Sequence, residues 1–293
     1  MSGVVGGLVR TARPRQWMKN VLVFAAPGAA GVLDQWDDLW RTLLAFVAFC
    51  LGASAIYLWN DALDVEADRI HPTKRRRPVA AGVVPVTTAK VVGSLLPVAA
   101  LGVAALTGRW QTMAVVGVYI VVLMAYSLWL KHVAVLDIVT VASGFVLRAA
   151  GGAAAVGVEM SNWFVLVTVF GSLFIVSGKR YAEMREIGED AASVRATLAA
   201  YNLGYLRLVL AVSCGAALLS YCQWAFERRD ETGTDWPFYE LSIVPLLTAL
   251  LRYALVLEQG RGAAPEEVFI TDRVLQLLGV IWVVVFGLAV YVQ

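Results

Sequence analysis

Long apolar runs alternate with short charged connections along the whole chain, and most runs are roughly 17 to 25 residues, the length that crosses about 30 Å of hydrocarbon as a helix. The pattern predicts about nine membrane spans. The first, Val21–Leu33, is short and broken by Pro27. The others fall at Leu43–Asn60, Thr88–Thr107, Thr112–Leu130, Leu136–Val156, Trp163–Gly178, Leu206–Phe226, Phe238–Leu257 and Val274–Val292. Two connections are long, Asp61–Thr87 and Lys179–Tyr205. Each opens at a helix end with charges at helical spacing: Asp61, Asp64 and Asp68 in one, Lys179, Glu183 and Glu186 in the other. Loops of that length usually carry function. Their matching placement hints at a weak internal repeat with a site between its halves.

Composition agrees with the pattern. With 59% hydrophobic and 16% charged residues and a mean hydropathy of +0.70, the chain is too apolar for a water-soluble domain and reads as an integral membrane protein. All 293 residues read as one helical domain. The net charge of +2 says little; its distribution says more. Arg10, Arg13, Arg15, Lys19, Arg69, Lys74 to Arg77, Lys90, Lys131, Lys179, Arg180, Arg185, Arg195, Arg261 and Arg273 collect on one side, against Arg41, Arg109, Arg228 and Arg229 on the other. Lysine and arginine favour cytoplasmic loops, so the Asp cluster is expected to face the cytoplasm and the C-terminus the outside of the plasma (inner) membrane. Cys50, Cys214 and Cys222 lie in apolar segments without CxxC spacing and read as core residues. The apolar run Val4–Val9 is too short for a cleavable signal peptide.

The segment Asn60-Asp61-Ala-Leu-Asp64-Val-Glu-Ala-Asp68, followed by Lys74-Arg75-Arg76-Arg77-Pro78, carries the chemistry. Positions three and four apart share a helix face, so the three aspartates are expected to stack as one column of oxygens. Like charges so close need a cation between them, and a hard, oxygen-ligated ion such as Mg²⁺ suits them. The basic run offers a surface for phosphates. Together they describe a seat for a metal-bound diphosphate at the water interface.

Asn60-Asp61-x-x-Asp64-x-x-x-Asp68 with Arg77-Pro78-Val79-Ala-Ala-Gly82 resembles the first signature of the UbiA superfamily of intramembrane prenyltransferases. The resemblance implies nine helices around a central cavity open laterally to lipid, and two Asp-rich motifs holding Mg²⁺ on a diphosphate. The second motif departs from that pattern: the chain has Lys179-Arg180-Tyr181-Ala182-Glu183-Met184-Arg185-Glu186. That departure resembles the actinobacterial cell-wall phosphoribosyltransferase branch of the superfamily. So do Arg13-Pro14-Arg15-Gln16-Trp17-Met18-Lys19-Asn20, Tyr126-Ser127-x-x-Leu130-Lys131 and the stretch from Asp137 to Arg148. The branch implies phosphoribosyl diphosphate as donor and a polyprenyl phosphate as acceptor. On that likeness Asp61, Asp64, Asp68 and Asn60 are metal ligands. Lys179 and Tyr181 contact donor phosphate or ribose, and Glu183 metal or ribose hydroxyl. Arg15, Lys19, Lys74, Arg75, Arg77, Tyr126, Lys131 and Arg148 are candidate donor or lipid-phosphate contacts. Three phosphate groups in one site demand many cations, which this set supplies.

Simpler readings stand beside these. Lys74 to Arg77 also serves as a topology signal. Arg148 lies roughly eleven residues, or about 16 Å, into its span, where it needs a partner. Asp137 is placed for helix capping or for chemistry alike. Glu183 and Glu186 are spaced for salt bridges with Lys179 and Arg180, while His71 and His132 lack metal-ligand spacing. A UbiA-type prenyltransferase with a polyprenyl diphosphate donor and an aromatic acceptor is the alternative. A transporter explains the Asp cluster poorly, because its charges gather at one membrane face. No nucleic-acid partner is expected, and homo-oligomerisation is left open.

Overall fold

The computed structural model describes residues 3–187, 196–262 and 264–292, and these hold helices and turns with no strand among them. The α-helices are α1 (Val4–Thr11), α2 (Ala25–Ala29), α3 (Trp36–Leu63), α4 (Val65–Ile70), α5 (Val86–Ala105), α6 (Trp110–Leu128), α7 (Leu136–Val156), α8 (Asn162–Ile187), α9 (Leu203–Thr232), α10 (Phe238–Leu241), α11 (Ile243–Glu258), α12 (Pro265–Thr271) and α13 (Arg273–Tyr291). Among the described residues, 8 stretches are long and apolar enough to cross a membrane: α3, α5, α6, α7, α8, α9, α10 with α11, and α13. The chain is therefore an all-α, multi-pass membrane protein. α7 has the bounds expected from hydropathy. α8 runs past its expected end and keeps Lys179 to Glu186 on the helix. Arg195 lies outside the described residues.

The first expected span, Val21–Leu33, differs from expectation. Pro14–Phe24 is a 3-10 helix of 11 residues, continued by the five-residue α2. It runs antiparallel to α3. Arg13 meets Asp61 at 2.6 Å, Trp17 donates to Ser54 Oγ at 3.1 Å and Asn20 donates to Cys50 Sγ at 3.1 Å. The Phe24 and Phe46 rings then lie 5.8 Å apart. At about 2.0 Å per residue the 3-10 run climbs about 22 Å. From Asp61 back to Phe46, α3 covers about the same length in about 15 residues at about 1.5 Å each. A 3-10 helix rises faster, so a short segment carrying Gln16, Lys19 and Asn20 keeps pace with α3. Such backbone is tolerated at membrane depth where protein covers it.

Gly152 of α7 provides part of that cover, and Gly151 beside it closes on α3. A Cβ on Gly152 would sit 1.7 Å from the Val23 carbonyl oxygen, and one on Gly151 2.2 Å from the Phe49 ring. Only a bare backbone lets α7 come so close.

The chain divides into two compact units. Unit 1 comprises Met1–Gly28, Val32–Leu128 and Leu147–Val158. Its core is built on small residues of α3: Ala45 and Ala48 pack with Phe49 against Ala100, Ala104, Val116 and Tyr119. A second cluster joins Leu58, Ala62 and Val65 to Val79, Val84 and Ala89. Unit 2 comprises Ala29–Gly31, Trp129–Val146 and Glu159–Gln293. There Phe174, Tyr181, Leu206, Tyr253 and Leu257 form one core, and Tyr221, Trp224, Tyr239 and Val290 another. Asp272 starts α13 by accepting from the N–H groups of Val274 and Leu275 at 3.1 and 3.0 Å, while Arg252 grips it at 2.8 Å. The Arg252 bond holds the Asp272 carboxyl below the usual range.

The α7 contact yields a stability prediction. Gly152→Ala should cost about 1–3 kcal/mol of overpacking and lower the melting temperature of detergent-solubilised protein. Gly102→Ala, with nothing within 4 Å of the added methyl, should leave it unchanged. Equal melting of the two variants would contradict the close approach at Val23.

Candidate functional site

α3 ends at Leu63 because Asp64 leaves helical geometry, with φ −89° and ψ 9°. The ladder is only nudged: the Asp64 N–H still donates to the Asn60 carbonyl at 2.9 Å and the Asp68 N–H to the Asp64 carbonyl at 2.8 Å. Asp61 and Asp68, two turns apart, therefore stay on one face and are buried, 2% and 3% exposed. Asp64 and Asn60 are half-buried. The expected column resolves into a buried pair and a third carboxylate at the bend.

The cation between the pair is Arg77. One nitrogen, Nη1, lies 2.7 Å from Asp68 Oδ2 and 3.3 Å from Asp61 Oδ1. Arg13 adds its Nη2 at 2.6 Å from Asp61 Oδ1 and stacks over the Tyr57 ring at 4.8 Å. Two carboxylates face two guanidinium groups, so the cluster is close to neutral. Both arginines are held by turns. Arg77 precedes a tight loop in which the Ala81 N–H donates to the Arg77 carbonyl and the Val84 N–H to the Pro78 carbonyl. Gly82 adopts φ +75° there, and Val79 and Val84 are buried. Arg13 has φ 54° and ψ 62°, a left-handed conformation that costs a non-glycine residue about 1–2 kcal/mol. Its bond to buried Asp61 offsets that cost.

Among the described residues, no three His, Cys, Asp or Glu groups are gathered at metal-ligand spacing. Yet Arg77 Nη1 stands at a point that oxygens of both Asp61 and Asp68 approach. The carboxylates of Asp61, Asp68 and Asp64 with the amide of Asn60 are hard-oxygen donors of the kind Mg²⁺ takes, while in this structure Arg77 fills the place between the two buried acids.

The other expected contacts of unit 1 are spread out. Arg15 is exposed and Lys19 half-buried on the 3-10 run; Lys74 is half-buried and Arg75 exposed on a short 3-10 turn, and Tyr126 is half-buried near the end of α6. His71 Nδ1 accepts from the Thr73 N–H at 3.3 Å and from the Lys74 N–H at 3.4 Å, which shapes that turn. Arg148, 5% exposed, donates to Asn20 Oδ1 at 2.6 Å and to the Tyr119 hydroxyl at 2.8 Å. These bonds tie α7 to the 3-10 run.

Unit 2 carries a second charged cluster. Arg180, 3% exposed, donates to Asp137 Oδ2 at 2.9 Å and to Glu183 Oε2 at 2.8 Å. Lys179 Nζ lies 3.8 Å from Glu183 Oε1. The salt-bridge reading of Glu183 is thus realised. Asp137 spends its other oxygen on the Tyr201 hydroxyl, which in turn accepts from the Val135 N–H. Val135, at φ 69°, is a strained position for a β-branched residue that this bond helps to hold. Burial, together with the neighbouring Asp137 carboxylate, pushes the Tyr201 phenol above its ordinary range, so it stays a donor. Tyr181 is separated from Lys179 and Glu183: it is wholly buried, with its hydroxyl on Glu258 at 2.9 Å and under Arg207 Nε at 3.0 Å. Lys131 sits half-buried on the turn Leu130–His132. Sequence spacing did not single out Arg13, Tyr201, Arg207 or Glu258, because their partners are 26 to 77 positions away.

A model of the UbiA prenyltransferase family matches residues 21–278. Decaprenyl-phosphate phosphoribosyltransferase of Corynebacterium glutamicum is 46% identical over 292 residues, spanning 98% of this chain and 87% of that protein. The protein of the same name in Mycobacterium tuberculosis is 45% identical over 297 residues, spanning 99% and 96%. A UbiA homolog from Archaeoglobus fulgidus solved with GPP and Mg²⁺ superposes with a TM-score of 0.73 at 16% identity, over 98% of this chain and 100% of that one. The same homolog solved with Cd²⁺ gives 0.71. At such identity the likeness speaks for the fold.

The buried Arg180–Asp137 pair generates a prediction. Arg180→Ala strands a buried carboxylate and should cost about 3–5 kcal/mol, whereas Arg180→Met with Asp137→Leu should recover most of it. Thermal unfolding of the three proteins measures this; a double variant no more stable than Arg180→Ala would refute the pairing argument.

Proposed function

The chain belongs to the UbiA prenyltransferase family, and from that premise we propose that it is a decaprenyl-phosphate phosphoribosyltransferase. It transfers 5-phosphoribosyl from phosphoribosyl diphosphate to a polyprenyl phosphate and releases diphosphate, in the supply of cell-wall precursors. The observation that carries the reading is identity of 45–46% along 98–99% of the chain to proteins of that name. The accessible Lys179 of the second motif, where the resemblance would place an Asp-rich element, supports a phosphorylated sugar as donor.

In the proposed reaction the bond from ribose C1 to the diphosphate oxygen breaks and a bond from C1 to a lipid phosphate oxygen forms, with inversion. The acceptor is already anionic, so positioning matters more than a general base. Asp61, Asp64 and Asp68, with Asn60, would hold Mg²⁺, which supplies charge stabilisation to the leaving diphosphate when bound. Arg77 and Arg13, paired with the same carboxylates in this structure, would be freed by the ion to present guanidinium donors to phosphate oxygens. Lys179 meets donor phosphate, while Arg180 keeps Glu183 and Asp137 in place for ribose hydroxyls. Arg15, Lys19, Lys74, Arg75, Tyr126 and Lys131 remain proposed contacts for donor or lipid phosphate. Arg148 is proposed to act by holding the 3-10 run. Tyr181 has its hydroxyl on Glu258 and under Arg207, so the donor contacts of this motif fall to Lys179 and Glu183. The site faces the cytoplasm of the plasma membrane and the C-terminus lies outside.

Purified protein should form lipid phosphoribose from phosphoribosyl diphosphate and decaprenyl phosphate. Activity should vanish with EDTA and return with Mg²⁺, and Asp61→Ala should lower turnover by about 100-fold or more while the protein still folds. Prenylation of 4-hydroxybenzoate by a polyprenyl diphosphate, with no phosphoribosyl transfer, would replace this reading by the aromatic prenyltransferase one.

Sidedness has its own check. A cysteine placed at Thr73 should react only with reagents that reach the cytoplasm, and one at Thr232 only from outside. The reverse labelling would deny a cytosolic sugar phosphate access to the carboxylates.

A further inference from the structure

Unit 2 contains a feature that the proposed reaction does not use. Among α8, α9 and α11 lies a cleft of about 370 Å³, within the size range of small-molecule sites. Its walls are apolar, with Phe174, Leu210, Ala211, Cys214, Ala254 and Leu257. One end is charged. There Glu258 accepts from the Tyr181 hydroxyl at 2.9 Å, from Arg207 Nη2 at 3.2 Å and from Arg185 Nη1 at 3.2 Å. Two guanidinium groups thus share one carboxylate, leaving a net positive mouth. Both are accessible, Arg207 58% and Arg185 33% exposed. Arg207 Nη1 and Arg185 Nη2 have no hydrogen-bond partner among the described residues.

The placement along the helices gives the cleft a direction. Arg185 is near the end of α8, Arg207 near the start of α9 and Glu258 at the end of α11, so the charged mouth lies where three membrane helices leave the bilayer. The apolar walls run inward from it. From Arg207 to Gly215, and from Tyr181 to Phe174, the helices advance about 10–12 Å at 1.5 Å per residue. A positive mouth at headgroup level over a short apolar slot matches an amphiphile with an anionic head and one chain entering beneath it.

We propose that this cleft binds an anionic phospholipid of the surrounding bilayer, with its phosphate on Arg207 and Arg185 and the upper part of one acyl chain against Leu210, Cys214 and Leu257. The slot takes only the first part of a chain, and its single acid is already engaged by a tyrosine and two arginines. It is built for a resident lipid and offers no group for chemistry on one. The inference stands independently of the proposed reaction.

The full chain in nanodiscs tests it. Phosphatidylglycerol carrying a photoreactive acyl chain should label peptides containing Leu210–Cys214 and Leu257. It should bind about tenfold or more tightly than phosphatidylcholine, whose choline cation would bring a like charge to the positive mouth. Arg207→Gln should remove that preference, and so should Cys214→Trp, which fills the slot. Free glycerol phosphate should not compete. The proposal is overturned if phosphatidylcholine binds equally, if Arg207→Gln keeps the preference, or if labelling maps elsewhere. Displacement of the probe by decaprenyl phosphate at equal concentration would assign the slot to the substrate lipid and also defeat it.

Discussion

A buried carboxylate must meet a cation, and around Asp61 and Asp68 that requirement organises unit 1. Two acids 2% and 3% exposed would repel one another at the end of an apolar helix if left alone. Arg77 meets both through one nitrogen, and Arg13 completes the neutralisation. The loop from Pro78 to Val84 is folded tightly behind Arg77. The left-handed turn at Arg13 is held from the other side. Breaking either support would leave charge stranded where water is scarce, at several kcal/mol.

The same rule explains the second polar cluster, though its members differ. Asp137 has Arg180 and Tyr201, and Arg180 also holds Glu183. Arg148 is satisfied partly by neutral oxygens of Asn20 and Tyr119. Its role follows from what it ties together, because Asn20 sits on the 3-10 run and Arg148 on the helix whose Gly152 accepts that run. Charge pairing and bare-backbone packing act on the same junction.

For the chemistry, the important feature is a balance between anions and cations at each cluster. In the proposed reaction the acids of the first cluster would hold a hard metal, and the arginines now paired with them would meet phosphate oxygens. In the second cluster lysine and arginine stand where the superfamily pattern has aspartates. The proposed donor, which would bring its own 5-phosphate, could meet Lys179 there, while Arg180 is held by Asp137 and Glu183.

By itself the sequence determined the class and 8 of the apolar crossings, and it marked out the acidic segment that the proposed reaction uses. Hydropathy acts over consecutive residues, so helices such as Leu136–Val156 were legible, and Asp61, Asp64, Asp68 and Arg77 announced themselves as a local motif. The spacing could not foresee that Val21–Leu33 would be crossed by a 3-10 run and α2. That outcome depends on the depth of α3 alongside and on a glycine 129 positions after Val23. Nor could it pair Arg148 with Asn20, Asp137 with Arg180, or Tyr181 with Glu258. Those partners are remote in the chain and neighbours only after packing. Local periodicity decides which segments enter the membrane; which charge meets which is decided by the tertiary fold, because buried charges must find partners wherever packing brings them.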